Sequence, residues 1–203
     1  MRLLIATTNP GKRREMRALL EGLPVEIMTP DEVPDLPEVV EDGDTPAENA
    51  ARKARQTAAA AGMCAVADDS GLFVDALDGR PGVHSARYAG PDPTPQKLCT
   101  KLLSELDGVP APERSAHFLC CIALGDPDGR LALTARGRVD GRILKQMVGH
   151  GGFGYDPVFY YEPAGKTFAQ MQPEDKNAVS HRGRALQQFG ERFRRWLQNG
   201  DAR

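Results

Sequence analysis

The first 70 residues alternate short apolar runs with longer segments of helical periodicity. The apolar runs at 2–6, 25–28 and 64–67 are predicted strands, and the segments 12–23 and 45–61 are predicted amphipathic helices. The second helix begins with a capping-box pattern, Thr45-Pro46-Ala47-Glu48, which has proline at the first helical position. This alternation is typical of an α/β layer, in which ligands lie beyond the carboxyl ends of the strands.

The rest of the chain predicts an antiparallel addition to this layer. Two runs, 115–126 and 130–141, flank the turn sequence DPDG and are expected to form a long hairpin. The remaining predictions are a long loop at 29–44, a helix at 95–107, a strand at 158–161 and a closing amphipathic helix whose apolar stripe is Leu186, Phe189, Phe193, Trp196 and Leu197. The fold class is therefore α/β, in one compact unit.

Composition narrows the classes of function. The chain has 26 Lys and Arg residues, 28 Asp and Glu residues and a net charge of −2, which argues against non-specific binding of nucleic acid. No stretch approaches the ~20 apolar residues of a membrane span, and the first apolar run is too short for a signal peptide. A cytoplasmic location is expected. The four cysteines include no CxxC pair and are expected to be buried free thiols.

Two adjacent acids, Asp68 and Asp69, follow the predicted strand 64–67 and precede Ser70. Side chains alternate along a strand, so at most one of the two acids is expected to face the core. If the strand ends here, the other acid can face a cleft. Such a carboxylate near phosphates suits Mg²⁺, which takes one or two carboxylates together with substrate oxygens. An ordinary acidic turn explains the same residues equally well.

A second candidate is the turn TTNPGK, residues 7–12, between the first strand and the first helix. Backbone N–H groups at a helix start, together with Lys12, can bind an anion. The alternative is a simple connection in which Asn9 caps the helix. On the second helix, Asn49 and Lys53 lie four apart and hence on one face. A capping box with solvated basic residues explains that pattern without a function.

Two further segments carry aromatic and basic residues. In GGFGYDP, Phe153 stands between glycines, which let the backbone approach a planar ligand while the ring stacks on it. A strand-entry turn is the competing interpretation. In DKNAVSHRG, Lys176, His181 and Arg182 surround a predicted helix start, where cations oppose the helix dipole and therefore suggest an anion or an electron-rich ring. A solvated helix start remains open. Together the five segments describe a nucleotide pocket.

The motifs TTNPGK, ENAxxKA, ADDSG, PGVHSARYAG, GGFGYDP and SHRGxAL resemble the Ham1 (RdgB-like) inosine triphosphate pyrophosphatase family. They occur in the family's order from residue 7 to residue 186, which is nearly the whole chain. The resemblance implies an elongated mixed β-sheet flanked by helices, with the whole chain, 1–203, forming a single nucleoside triphosphate pyrophosphatase domain of two lobes and an active-site cleft between them. It also implies a homodimer, while the composition described above predicts no nucleic acid or membrane partner.

The activity that the resemblance implies is Mg²⁺-dependent hydrolysis of non-standard purine triphosphates (dITP, ITP and XTP) to a monophosphate and pyrophosphate. Asp69 matches the general base and metal-associated acid, and Ser70 a substrate contact. The triphosphate would be held by Thr7, Thr8, Asn9, Pro10, Gly11, Lys12 and Lys53. The base would be enclosed by Phe153, Gly154, Tyr155, Asp156, Lys176, His181 and Arg182.

The second metal ligand is less well defined, because family members often have paired acids before Asp-Gly and this chain has Val40 at the first of those positions. Glu41 is the expected ligand, with Glu38 or Asp68 as alternatives.

Two rival functions stay open. One is a Maf-like pyrophosphatase acting on other modified or pyrimidine triphosphates, and the other is a non-catalytic nucleotide sensor or RNA-binding module. Net acidity and the lack of interleaved basic and aromatic residues argue against RNA.

Overall fold

The computed structural model describes residues 1–199, except the side chain of Pro10. The helices are α1 (Pro10–Leu20), α2 (Pro46–Ala61), α3 (Pro95–Glu105), α4 (Pro173–Val179) and α5 (His181–Gln198). The strands are β1 (Arg2–Ile5), β2 (Glu26–Met28), β3 (Cys64–Val74), β4 (Pro81–Gly82), β5 (Ser115–Gly125), β6 (Leu131–Ile143), β7 (Phe159–Tyr161) and β8 (Lys166–Thr167). These bounds confirm the predicted strands and helices to within a few residues, with the exception of β3.

Hydrogen bonding joins the strands in the order β2-β1-β3-β5-β6-β7-β8, and β4 pairs with β3. β1 is parallel to both β2 and β3, with Leu4 opposite Met28 on one side and Ala65 on the other. The β3–β4, β6–β7 and β7–β8 pairs are antiparallel. The sheet is therefore mixed, as predicted. Among residues 1–199, no helix has the length and apolar content to cross a bilayer.

The chain divides into two compact units, each assembled from separate segments. Among the described residues, unit 1 contains 1–69, 120–137 and 184–199, and unit 2 contains 70–119 and 138–183. The core of unit 1 packs β1 and the start of β3 against α1 and the apolar stripe of α5, in which Phe189 and Phe193 are fully buried. The core of unit 2 is built around α3, β7 and the buried aromatics Phe118, Tyr155, Phe159 and Phe168.

The prediction that Asp68 and Asp69 end a strand is wrong. β3 continues through both acids and through Ser70 to Val74, and both acids are buried, at 2% and 9% exposure. The side chains alternate as expected for a strand, with Asp68 contacting Lys12 of α1 and Asp69 contacting Asn49 of α2. Asp has low strand propensity, but here each carboxylate has a nitrogen partner inside unit 1, which compensates its transfer out of water.

The cysteine prediction is confirmed, since all four thiols are free and buried. Burial raises the pKa of the Cys99 and Cys121 thiols to about 11, because the apolar surroundings disfavour the thiolate. For Cys121 the Asp69 carboxylate adds a smaller contribution in the same direction. Neutral, buried thiols of this kind are inert packing residues.

Candidate functional site

The turn from β1 into α1 uses its polar side chains to start the helix. Asn9 Oδ1 accepts hydrogen bonds from the Gly11 and Lys12 amides, at 2.9 and 3.2 Å, and Thr7 Oγ1 accepts one from the Asn9 amide. The capping interpretation of Asn9 is therefore confirmed. Two of the helix's free N–H groups are engaged by this cap, and two cations lie at the turn: Lys12, and Arg13, whose Nε donates a hydrogen bond of 2.8 Å to the Thr7 carbonyl. The side chain of Pro10 lies outside the described part of the chain.

Lys12 lies beside the first acid of β3. Its Nζ is 2.9 Å from Asp68 Oδ2, and the Asp68 side chain is almost completely buried. The contact follows from the topology, because β1 and β3 are parallel neighbours and Lys12 lies just after the turn that leaves β1. The turn TTNPGK and the acid pair, which lie far apart in sequence, are therefore in contact within unit 1.

The second acid contacts helix α2 instead. Asn49 Nδ2 donates a hydrogen bond of 3.1 Å to Asp69 Oδ2, and Asn49 Oδ1 accepts one of 2.8 Å from the Gly43 amide. One turn further along α2, Lys53 Nζ lies 2.5 Å from Glu41 Oε1. Residues 38–44, here called the acidic loop, are thus attached to the same helix face that contacts Asp69. The one-face prediction for Asn49 and Lys53 is confirmed.

The carboxylates of unit 1 fit a magnesium ion in chemical type. Glu41, Asp68 and Asp69 offer only oxygen ligands, which Mg²⁺ prefers, and two of them form ion pairs, Asp68 with Lys12 and Glu41 with Lys53. Within residues 1–199 no group of three or more His, Cys, Asp or Glu side chains is assembled as a ready metal cluster. A site with one or two carboxylates completed by substrate oxygens is consistent with both facts. Glu38 and Val40 are exposed, Val40 at 67%.

In unit 2 the glycine-rich segment presents Phe153 to solvent, with its side chain surrounded by cations. Phe153 is 52% exposed, Lys176 Nζ lies 4.4 Å from the ring centroid, and the Arg182 guanidinium carbon lies 5.6 Å from it. Gly152 has φ +75°, a conformation that disfavours a side chain, and a Cβ there would collide with Asp156. The backbone therefore turns tightly around the Asp156 carboxylate.

Asp156 ties this segment to helix α4. Its Oδ2 atom accepts hydrogen bonds from Lys176 Nζ, at 2.5 Å, and from the Phe153 amide, at 2.8 Å. Burial raises the pKa of Asp156, while the Lys176 ammonium and the Phe153 N–H act in the opposite direction. The carboxylate thus fixes both the ring-bearing turn and the cation above the ring.

Tyr155 has an internal role that its sequence motif did not suggest. It is only 3% exposed, and its hydroxyl donates a hydrogen bond of 2.8 Å to the Ser85 carbonyl. Ser85 Oγ in turn accepts from the Leu72 amide and donates to the Gly82 carbonyl. The Cys99 thiol contacts the Gly154 carbonyl at 3.4 Å. The Tyr155 side chain therefore anchors the segment from within the core, and only its backbone is left for the predicted enclosure of a base.

The last two predicted residues begin α5. His181 and Arg182 are both buried, and the His181 ring stacks on Phe118 at 4.6 Å and 10°. Lys176 belongs to the separate short helix α4, rather than to the start of α5.

The candidate site residues form two groups, one in each unit, here called the unit 1 cluster and the unit 2 cluster. The unit 1 cluster contains Thr7 to Lys12, Glu41, Asn49, Lys53, Asp68 and Asp69, and the unit 2 cluster contains Phe153, Asp156, Lys176, His181 and Arg182. Ser70 is half-buried in β3.

Fold and clusters together define an α/β protein with a carboxylate–lysine centre and a cation-flanked aromatic ring. The chain belongs to the Ham1 family, whose sequence model matches residues 3–192. A Geobacter sulfurreducens protein named dITP/XTP pyrophosphatase is 53% identical over 185 residues, covering 91% of this chain and 92% of that protein. A Geobacillus kaustophilus protein of the same name is 49% identical, covering 94% and 93%.

Solved structures agree with this assignment. A HAM1 protein from Coxiella burnetii superposes with a TM-score of 0.90 at 39% identity, covering 96% of this chain and 99% of that one. The resemblance inferred from the motifs is therefore confirmed at the level of sequence and fold.

Proposed function

We propose that the protein is a nucleoside triphosphate pyrophosphatase that hydrolyses dITP, ITP and XTP to the monophosphate and pyrophosphate, and so removes non-standard purines from the nucleotide pool. The observation that carries the proposal is the pair of adjacent buried acids in β3, one held by Lys12 and the other by Asn49. A fold does not require two consecutive buried carboxylates, and such groups concentrate at functional sites. The names of the full-length relatives support the same activity.

In the proposed mechanism, the unit 1 cluster binds the phosphates. The turn from Thr7 to Gly11 would provide polar groups and backbone, and Lys12 and Lys53 would provide charge. Both lysines are held by carboxylates, at 2.9 and 2.5 Å, and both remain partly exposed, so a phosphate oxygen could approach them. Asp69 would accept a proton from the water that attacks the α-phosphorus. A new bond then joins the water oxygen to phosphorus as the bond to the pyrophosphate oxygen breaks. The two lysines stabilise the charge on the leaving group.

Asp69 and Glu41 would hold Mg²⁺, with Asp68 retained by Lys12. When bound, the ion neutralises phosphate charge and orients the pyrophosphate. The chain's own contribution is to hold these carboxylates in position, through Asn49 for Asp69 and through Lys53 for Glu41. Glu38 is exposed, whereas Glu41 is held by Lys53 of α2, so Glu41 is the better assignment.

The unit 2 cluster would bind the base. Phe153 offers a ring face for stacking, and Lys176, His181 and Arg182 offer donors for a 6-keto oxygen, with Asp156 and Gly154 shaping the segment. Adenine carries an amino group at that position, which leaves buried donors unpaired, a penalty that can reach ~10⁴-fold. Ser70 is proposed as a further substrate contact. The proposal includes a homodimer, which the family resemblance implies, and a cytoplasmic location.

Pyrophosphate release should be measured with Mg²⁺ across dITP, XTP, GTP, ATP, dUTP and dTTP. Wild type should turn over dITP and XTP far faster than the others, and Asp69→Asn should abolish turnover while nucleotide affinity remains. Asp128→Asn, the same change in an exposed turn, is the matched control. Preference for dUTP or dTTP would support the Maf-like alternative, and binding without pyrophosphate release would support a sensor.

A further inference from the structure

Asn49 is a buried amide that joins two parts of the unit 1 cluster. Asn49 is 2% exposed. Its Nδ2 donates a hydrogen bond of 3.1 Å to Asp69 Oδ2, and its Oδ1 accepts one of 2.8 Å from the Gly43 amide. The Gly43 amide can only donate, so the oxygen of Asn49 must face it, and the NH₂ group is directed at Asp69. A short amide carries its donor and its acceptor on two separate atoms, which suits two partners on different sides of the side chain.

Gly43 is the point at which the acidic loop meets α2. A Cβ at Gly43 would lie 2.8 Å from Asn49 Oδ1 and 2.9 Å from Glu48 Cβ, so the loop backbone approaches the helix more closely than any other residue would allow. Glu48 adds a second attachment, because its carboxylate accepts a hydrogen bond of 2.9 Å from the Asp44 amide. Two residues before Gly43, Glu41 meets Lys53.

We propose that Asn49 is a positioning residue that fixes the Asp69 carboxylate and the acidic loop relative to each other. The inference rests on the proposed function, in which Asp69 and Glu41 act on one phosphate–metal centre. A single rigid amide then sets the separation between the proposed base and the loop that carries the second ligand. Supporting groups of this kind typically contribute 10–100-fold to affinity or activity. Asn49 itself does not need to contact substrate.

Two substitutions of Asn49 test its two hydrogen bonds separately. Asn49→Asp keeps an acceptor for Gly43 and removes the donor to Asp69, whereas Asn49→Ala removes both. Gln56→Glu is the matched control, since it makes the same amide-to-acid change at an exposed position of the same helix. The measurements are kcat and KM for dITP with Mg²⁺, the thermal midpoint, and hydrogen exchange of the Gly43 amide.

For Asn49→Asp we expect kcat to fall at least about 10–100-fold and the thermal midpoint to fall too, because a second buried carboxylate would face Asp69, while Gly43 exchange stays close to wild type. For Asn49→Ala we expect the same loss of kcat together with faster Gly43 exchange, and Gln56→Glu should match wild type. A purely structural role would not separate the loss of kcat from Gly43 exchange in Asn49→Asp, because loosening the loop would speed that exchange as well.

Wild-type kcat in Asn49→Asp, or a loss that only parallels unfolding, would overturn the inference. If Asn49→Ala does not fold, Gly43 exchange in the wild-type protein decides the loop attachment, and the rate of an unprotected amide would refute it. Failure of the proposed function is a different result, in which wild type releases no pyrophosphate from any triphosphate. Gly43 exchange would then still report on the Asn49 link.

Discussion

Lys12 Nζ lies 2.9 Å from Asp68 Oδ2, which brings the first helix of the chain into contact with the third strand. The two side chains differ in environment, because Lys12 is 21% exposed and Asp68 only 1%. A buried carboxylate is costly without a partner, whereas a partly exposed ammonium can leave its partner for another anion. The pair can therefore stabilise the fold and also supply a cation to a bound phosphate.

Replacing Lys12 tests both consequences. Lys12→Met should lower the free energy of unfolding by about 1–3 kcal/mol, since it removes a charged partner from a buried carboxylate. It should also reduce kcat for dITP. Lys97→Met is a close control, because Lys97 likewise occupies the third position of a helix that starts with a polar cap and proline, yet it is exposed. Denaturant unfolding of the three proteins measures the difference, and equal stability of both variants would contradict the role of the pair.

Phe153 and Tyr155 are expected to behave oppositely when each is changed to alanine. Phe153 is 52% exposed, so its loss should cost less than about 1 kcal/mol, mainly the contact with Lys176, while KM for dITP rises. Tyr155 fills the core of unit 2, so its loss should cost about 3–5 kcal/mol. Thermal unfolding and steady-state kinetics on the same preparations separate the two. Similar stability losses would show that the ring of Phe153 is structural.

The second metal ligand can be tested without turnover. Glu41→Gln should weaken Mn²⁺ binding, followed by electron paramagnetic resonance, by roughly 10-fold, because it removes a charged oxygen ligand. Glu38→Gln should leave the binding unchanged, since Glu38 is exposed and lies three residues earlier in the same loop. A larger effect from Glu38→Gln would transfer the assignment to that residue.

Arg182 is expected to read the base. Arg182→Ala should reduce the ratio of kcat/KM for dITP over dATP more than it reduces stability, because a donor near the stacked ring is lost. Exposed Arg184, two residues later on α5, provides the control substitution. If Arg182→Ala slows both substrates by the same factor, Arg182 does not discriminate between bases.

The raised pKa values of the buried thiols predict how the stability of the protein changes with pH. The pKa of Cys99 and Cys121 is raised to about 11 from the model-compound value of 9.0, so the folded state favours the neutral thiol. A group with a raised folded pKa contributes stability that is complete below its unfolded pKa and is lost as the pH rises through the folded pKa. Stability should therefore decline between about pH 9 and 11. Cys99→Ser and Cys121→Ser should reduce the decline in denaturant unfolding, and native thiols should resist iodoacetamide at pH 8.

Periodicity predicted the elements of the fold because each depends on neighbours in sequence. The Thr45 cap of α2 and the apolar stripe of α5 at Phe189, Phe193 and Trp196 are fixed by local hydrogen bonding and by one buried face. Local propensity also explains the one clear failure. Asp68 and Asp69 were predicted to end β3, yet the strand continues because Lys12 and Asn49, both distant in sequence, compensate the two carboxylates.

The sequence by itself determined the element order, the mixed α/β class and the family, since these follow from spacing and from motifs read along the chain. It also identified the residue types that phosphate and base chemistry require. Only the tertiary structure decided how those residues are used. Asn49 joins Asp69 to Gly43, and Tyr155 turns inward to Ser85, because hydrogen-bond partners 20 and 70 residues away are chosen by packing rather than by local pattern.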